Sequence, residues 1–184
     1  MNEAEKNALE NAKTRNEVKA IKISNETLKL HDDTMIDNIN KMVMPNDFLY
    51  HLGDFCMGGY EDYKSYRDRI NCNNIYLIKG NHDTKDKKIE SLFLKIRDLY
   101  KVTWSNQKII LCHYPMLRWD NSHYGAWHLY GHCHGSLAPF LVDHGLDTKL
   151  LSMDVGVDCN NYAPVSFDTV KKIMEYKDFI PINE

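Results

Sequence analysis

Residues 75–83 read IYLIKGNHD, an apolar run that ends in a lysine, a glycine and three polar side chains. Four consecutive apolar residues bounded by turn-forming residues predict a short buried strand. The tetrapeptide at residues 80–83 then lies at the carboxyl end of that strand, where the loops of an α/β sheet meet over a common crevice. We therefore expect its polar side chains to belong to a site.

Three further polar blocks follow apolar runs in the same way: Gly53-Asp54 after residues 47–52, His113 after residues 108–112, and GHCH at residues 131–134 after residues 127–130. Carboxylate, amide and imidazole groups are common ligands of divalent metal ions in proteins. His132 and His134 are one residue apart, so in an extended segment they point to the same side and can present two imidazoles to neighbouring ions. The four blocks predict a metal site that folding gathers from separate strand ends.

The remaining pattern predicts an α/β chain. Five strands are expected at residues 47–52, 75–79, 108–112, 127–130 and 150–155. Helices are expected over residues 1–19, from Asp33 as N-cap to before Pro45, over residues 60–70, over residues 89–96, and from Ser166 onward. The last helix is expected to bury Val170, Ile173 and Met174. The loop of residues 115–127 is long enough to line a site.

Composition narrows the class of protein. The 184 residues fit a single globular domain with an atypical helical segment at about residues 1–20, and 43% hydrophobic and 27% charged residues are ordinary globular values. No apolar stretch reaches about 18 residues, so a cytoplasmic protein is expected. A net charge of −3 without a basic run does not indicate nucleic-acid binding. Five cysteines without a CxxC pair favour free thiols, and Cys133 is a weak ligand candidate.

Taken together and in order, the four blocks resemble the signatures of the calcineurin-like metallophosphoesterase family, from about Met35 to the C-terminus. The resemblance implies a four-layer α/β/β/α sandwich with the site at its loop-rich edge. It also implies metal-dependent hydrolysis of a small phosphate mono- or diester by metal-bound water, with a nucleotide phosphodiester slightly preferred. Manganese, zinc or iron suits the ligands, with one or two ions per chain.

The resemblance assigns a role to each residue of the blocks. Asp54 is the ligand that bridges two ions, and the second ion is completed by Asn81, His113 and His132. His134 binds the first ion. His82 protonates the leaving oxygen, and Asp83 orients the imidazole of His82.

One block of the family is missing. The family opens with Asp-x-His on its first strand, and residues 1–34 contain no such sequence. The nearest substitute is the strand-like run at residues 21–24, followed by Asn25-Glu26-Thr27; alternatively, residues 31–33 (His-Asp-Asp) fold over the site, although they also suit a helix start. The second ion thus has a complete ligand set, while only Asp54 and His134 remain for the first.

Three hypotheses follow from this asymmetry. The protein hydrolyses its substrate with a weakly held or substrate-recruited first ion; it is a degenerate member that binds a ligand or a protein without turnover; or another polypeptide supplies the missing segment. Among the other histidines, His51 and His128 lie inside strands and are expected to be packed or hydrogen-bonded, and His123 is a candidate for substrate contact.

Overall fold

The computed structural model describes residues 1–84 and 86–181. The described residues contain six α-helices: α1 (Glu3–Asn11), α2 (Arg15–Ala20), α3 (Asn25–Met42), α4 (Tyr60–Asp68), α5 (Ala138–Asp143) and α6 (Phe167–Glu175). They also contain seven strands: β1 (Phe48–His51), β2 (Asn74–Ile78), β3 (Lys95–Arg97), β4 (Leu99–Trp104), β5 (Gln107–Cys112), β6 (Trp127–Tyr130) and β7 (Ser152–Asp154). None of the described helices is both long and apolar enough to cross a membrane.

The strands form two sheets. The first has the order β1-β2-β3 and is entirely parallel, with Leu49 opposite Ile75 and Leu77 opposite Ile96. The second has the order β4-β5-β6-β7, in which β4 and β5 form an antiparallel hairpin and the other pairs are parallel. Because β1 and β2 run parallel in one sheet and β5 and β6 run parallel in the other, each pair ends at one edge of its sheet.

Side chains alternate along β2 and so divide the core into two clusters. Ile75 and Leu77 pack with Ile36 of α3 and Tyr63 of α4, whereas Ile78 packs into the cluster of the second sheet. Successive residues of a strand point to opposite faces, so the first sheet lies between the helices α3 and α4 on one side and the second sheet on the other.

Helix α6 covers the outer face of the second sheet. Val170 and Met174 are buried in the same cluster as Trp127, and the rings of Trp127 and Phe167 are stacked with centroids 5.9 Å apart. The layers therefore follow the order helix, sheet, sheet, helix, which confirms the predicted α/β sandwich. Ile173 is 37% exposed, so the prediction that α6 buries this residue is wrong.

The helix predicted at residues 89–96 is wrong. The chain forms a short 3₁₀ turn at Lys87–Leu92 and then the strand β3. Ile89 and Phe93 are buried as a helical spacing would require, but the backbone at Leu94 donates to the carbonyl of Ile75, and Ile96 pairs with Leu77 in the sheet. Pairing with β2 satisfies backbone groups that an isolated helical turn would leave exposed.

The predicted count of five strands is also wrong, because β3 and β4 were missed. Strand β4 alternates between exposed and half-buried residues and carries no continuous apolar run. It joins β5 through Ser105 and Asn106, which both have left-handed backbones with φ of 47° and 65°. Such a two-residue turn matches the twist of a hairpin, but glycine is its usual signal and is absent here.

The N-terminal segment differs from the expected single helix. It breaks after Asn11 into α1 and α2, and α3 begins at Asn25 rather than at Asp33, because the hydroxyl of Ser24 accepts a hydrogen bond from the backbone of Thr27 at 3.2 Å. Buried Glu5 ties the segment together, accepting from the backbone of Ser24 and the hydroxyl of Thr27, both at 2.6 Å. The strand-like run at residues 21–24 therefore connects α2 to α3, with Ser24 as the cap of α3, and is not a strand.

Candidate metal centre

Asp54 reaches the crevice on a tight turn that follows β1. Gly53 has φ of 97°, and a Cβ atom there would lie 2.5 Å from His113 Nδ1 and 2.6 Å from the amide nitrogen of Gly80. Only glycine permits this close approach. The Oδ1 atom of Asp54 accepts a hydrogen bond from the backbone of His82 at 2.9 Å, so the turns after β1 and β2 are in direct contact.

His113 follows β5 and is almost completely buried, at 2% exposure. Its Nδ1 atom lies 2.7 Å from the carbonyl oxygen of Leu52, which can only accept, so we assign the ring proton to Nδ1. The Nε2 atom then carries a lone pair. It lies 3.0 Å from His132 Nδ1, 3.1 Å from Asn81 Oδ1 and 3.4 Å from Asp54 Oδ2.

This arrangement has the properties of a cation site. The ligand atoms of Asp54, His113 and His132 all lie within 4.8 Å of one another, and Asn81 Oδ1 faces the same imidazole nitrogen. Asn81 Oδ1 and Asp54 Oδ2 can only accept, so their approach to the lone pair of His113 Nε2 is unfavourable unless a proton or a cation lies among these atoms. Two imidazole nitrogens and two oxygens form a set that manganese, zinc or iron accepts.

Strained backbone accompanies these residues. Asp54 and His132 have left-handed backbones, with φ of 55° and 62°, and His134 has φ of 47°. This conformation costs a residue with a side chain about 1–3 kcal/mol and persists only where surrounding contacts impose it. Such outliers are concentrated at functional sites, and here they fall on three of the residues that the sequence singled out.

Asp83 connects the two turns through hydrogen bonds to its side chain. Its Oδ2 accepts from the backbones of Asp54 and Gly80, and its Oδ1 accepts from the backbone of Phe55. A fourth hydrogen bond comes from a tyrosine hydroxyl at 2.6 Å. Burial raises the pKa of Asp83, but these hydrogen bonds outweigh burial and hold it below its ordinary value. Within the described residues no hydrogen bond joins it to the exposed imidazole of His82, so its orienting role stays a prediction.

His134 is exposed and does not belong to the ligand group. Its side chain is 70% exposed and its Nδ1 atom contacts the carboxylate of Asp158, a residue that the sequence did not single out. Neither His134 nor Cys133 belongs to the described group of ligand atoms within 4.8 Å. All five cysteines are free thiols. The assignment of His134 to a first ion therefore stays a prediction.

The proposed substitutes for the missing block are engaged elsewhere. Residues 31–33 lie inside α3 and do not cap it. His31 packs edge-on against Tyr162 with centroids 5.4 Å apart, and Asp32 accepts from the hydroxyl of Tyr66. Asp33 forms ion pairs with Lys29 and with Arg69, the residue that follows α4. None of them joins the described group of ligand atoms.

His51 and His128 are packed in the strands, as predicted. His128 is fully buried, with Nδ1 3.0 Å from the carbonyl of Ile110 and Nε2 accepting from the backbone of Met116 at 3.2 Å, and burial lowers its pKa. The ring of His51 packs edge-on against Phe55, and burial lowers its pKa as well. Its Nδ1 atom is buried without a hydrogen-bond partner among the described residues.

Tyr114 is a site residue that the sequence did not single out. It directly follows His113 and is 45% exposed, and its ring packs edge-on against His113 and His132, with centroids 4.9 and 4.7 Å away. Its position next to a ligand candidate was the available signal. His123, the predicted substrate contact, packs on Tyr124 with centroids 4.1 Å apart, and substrate contact by His123 stays a prediction.

Comparison with known proteins identifies the family. The family model of the calcineurin-like phosphoesterases matches residues 27–175, a range that contains all four polar blocks. The chain belongs to the calcineurin-like phosphoesterase family. Members of this family generally carry divalent metal ions, and the cluster around His113 is a candidate ligand group for one.

The chain is also similar to individual proteins in sequence or in structure. The chain is 29% identical over 150 residues to Uncharacterized protein MJ1445 of Methanocaldococcus jannaschii, covering 77% of this chain and 74% of that protein. The crystal structure of the protein of unknown function AQ665 from Aquifex aeolicus superposes with a TM-score of 0.62 at 21% identity, covering 86% and 90% of the two chains, and so shares the fold. The structure of a novel archaeal phosphodiesterase gives a TM-score of 0.36 at 16% identity, covering 66% of this chain and 62% of that one. This score is too low to indicate a shared fold.

Proposed function

We propose that this protein is a metal-dependent phosphoesterase whose ion is held by Asp54, Asn81, His113 and His132. The observation that supports the proposal is the convergence of three potential ligand atoms, from Asp54, Asn81 and His132, on the lone pair of His113 Nε2, at 3.0 to 3.4 Å. A shared cation would bind all four atoms at once, whereas the oxygens of Asp54 and Asn81 gain nothing from the lone pair alone.

The residues of the chain prepare this site before any ion binds. The hydrogen bond from His113 Nδ1 to Leu52 fixes the tautomer and orients Nε2 toward the cluster. Asp54 uses Oδ1 to accept from the backbone of His82 and leaves Oδ2 facing His113. A bound manganese, zinc or iron ion would supply an activated water nucleophile and a positive charge beside the phosphoryl oxygens.

We propose that His82 donates the proton that the leaving oxygen requires. Its backbone N–H donates a hydrogen bond to the carboxylate of Asp54, so His82 lies next to the cluster. The residue is also exposed to an incoming substrate. A positioned imidazolium contributes roughly 10²–10⁴-fold to such a proton transfer. Asp83 supports this role by holding the turn at Gly80.

We also propose that the chain holds one ion tightly. In the described structure His134 is 70% exposed and does not belong to the ligand group that contains Asp54, so a second ion would have few ligands from this chain. A second ion would then bind weakly or arrive with the substrate.

The substrate class that we propose is a small phosphate mono- or diester, with a nucleotide phosphodiester preferred, because the net charge of −3 provides no broad field for a polyanion.

Turnover of bis-p-nitrophenyl phosphate with added Mn²⁺ tests this function. We expect the wild type to be active and His82→Ala to lose about 10²-fold or more in rate. His144→Ala is the matched control, because that imidazole stacks on Phe140 in α5 and is not part of the cluster. An equal loss in both variants would argue against a catalytic role for His82.

A binding module is the second candidate function. The exposed position of His134 favours it, because His134 does not belong to the ligand group around His113 and two-ion hydrolysis would use this residue as a ligand. If the wild type binds Mn²⁺ but both it and His82→Ala are inactive toward phosphate mono- and diesters, the binding module replaces the enzyme as the better account.

A further inference from the structure

A buried tyrosine reaches the metal centre from the helical layer. Tyr63 of α4 has no exposed surface, and its ring stacks on Phe55 with centroids 5.4 Å apart and meets Phe93 edge-on at 6.4 Å. Its hydroxyl donates to Asp83 Oδ1 at 2.6 Å. Tyr63 is not a ligand candidate and the sequence did not single it out.

The carboxylate that accepts this hydrogen bond sets the relative position of two ligand-bearing turns. Asp83 Oδ2 accepts from the backbones of Asp54 and Gly80, both at 2.8 Å, so one atom joins the turn that carries Asp54 to the turn that carries Asn81. Asp83 Oδ1 accepts from the backbone of Phe55 at 2.8 Å. The position of this carboxylate therefore fixes the backbone of Asp54, from which the ligand side chain extends.

The tyrosine hydroxyl is the contact that holds this carboxylate from outside the two turns. The other three donors are backbone groups of the turns themselves and would move with them. Tyr63 is instead fixed in the core between α3, α4 and the first sheet, and its ring has few torsions to adjust. Without the hydroxyl, Asp83 Oδ1 would keep only the hydrogen bond from Phe55, and the carboxylate could rotate.

We infer that Tyr63 is a positioning residue that acts through Asp83 to place the ligand Asp54 and so sets the affinity for the metal ion. This inference rests on the metal centre proposed above. Residues that orient metal ligands typically change metal affinity by about 10- to 100-fold when altered. Tyr63 would act at the lower end of that range, because three hydrogen bonds to Asp83 remain.

Tyr63→Phe tests the inference, with Tyr66→Phe as the matched control. Tyr66 lies on the same helix and its hydroxyl donates to Asp32 at 2.7 Å, away from the cluster. Each variant keeps its ring and removes one hydrogen bond between a tyrosine and a carboxylate. By titration calorimetry with Mn²⁺ we expect about 10-fold weaker binding for Tyr63→Phe and less than twofold change for Tyr66→Phe. Urea unfolding in EDTA should give the two variants similar stability losses.

Turnover adds a second readout. If Tyr63 places the ligand and takes no part in the chemistry, raising the Mn²⁺ concentration should restore the rate of Tyr63→Phe toward that of the wild type. Wild-type affinity in Tyr63→Phe, or equal weakening in Tyr66→Phe, would overturn the inference and leave the proposed function standing. A wild type that does not bind Mn²⁺ would overturn both.

Discussion

Replacing Gly80 with alanine should damage the metal centre through contacts with Asp54 and not through the backbone angles of residue 80. Gly80 does not have a positive φ, so alanine fits its backbone conformation. Its Cβ atom, however, would lie 2.2 Å from Asp54 Oδ1, 2.7 Å from the amide nitrogen of Asp54 and 2.8 Å from its Cγ atom. The collision therefore falls on the side chain and the main chain of one ligand.

The size of the effect follows from these distances. Cβ atoms do not approach closer than 3.0 Å, so Oδ1 of Asp54 must recede by about 0.8 Å. Rotating the carboxylate is not enough, because the amide nitrogen is also too close and is hydrogen-bonded to Asp83. A misplacement of about 1 Å costs roughly 10²-fold in rate, and overpacking costs about 1–3 kcal/mol of stability.

Calorimetry with Mn²⁺ and the turnover assay measure the damage, with Gly59→Ala as the control. A Cβ atom on Gly59 would have no neighbour within 4 Å, and this glycine precedes α4 away from the cluster. We expect Gly80→Ala to bind Mn²⁺ at least about 10-fold more weakly and Gly59→Ala to bind as the wild type does. A folded Gly80→Ala protein with wild-type affinity would refute the placement of Asp54 beside this glycine.

Three further predictions concern other parts of the chain. The hydrogen bond from the Thr27 hydroxyl and those from nearby backbone groups lower the pKa of Glu5 from 4.5 to about 2, so its contribution to stability is present above pH 4.5 and is lost as the pH falls through 2. Urea unfolding at a series of pH values should therefore show a smaller loss over that range for Glu5→Gln than for the wild type. Tyr114→Ala should weaken Mn²⁺ binding about 3- to 10-fold while Tyr114→Phe does not, because the ring makes the contacts with the ligand imidazoles; equal effects in calorimetry would refute this. Asp158→Asn should leave the affinity of the tight ion unchanged, because its partner His134 does not belong to the ligand group, and a clear loss in the same titration would contradict this.

The parts of the fold that the sequence predicted well share one physical cause. Strands β2, β5 and β6 are continuous apolar runs because both of their faces are covered, and such runs are visible without a structure. The polar residues at their ends then fall at the sheet edges. This is why Asn81, His113 and His132 could be selected together before their distances were known.

The missed elements lack that signal. Strand β3 has three residues, of which the middle one, Ile96, is half-buried and the other two are exposed. Ile96 also continued a helical spacing from Ile89. Local pattern favoured a helix, and pairing with β2 decided the outcome. The structure of the N-terminal segment could not be predicted from the sequence for another reason. Glu5 is hydrogen-bonded to Thr27, 22 residues away, and no local periodicity reports such a contact.

Within the site, sequence identified the residue types better than their partners. Asp83 was expected to serve His82, yet its oxygens hold backbone groups and a tyrosine hydroxyl. The role of His134 as a ligand stays a prediction, and its contact with Asp158 was not expected. Both partners depend on loop conformations with left-handed residues, such as His134 with φ of 47°, and these conformations are set by tertiary contacts.

The central claim is that four side chains from four strand ends share one metal ion. The most direct measurement is an anomalous-difference map from crystals of the protein grown with Mn²⁺. We predict one strong peak about 2.0–2.2 Å from Asp54 Oδ2, Asn81 Oδ1, His113 Nε2 and His132 Nδ1. A map without a peak at this position, or with its peak at other residues, would contradict the claim.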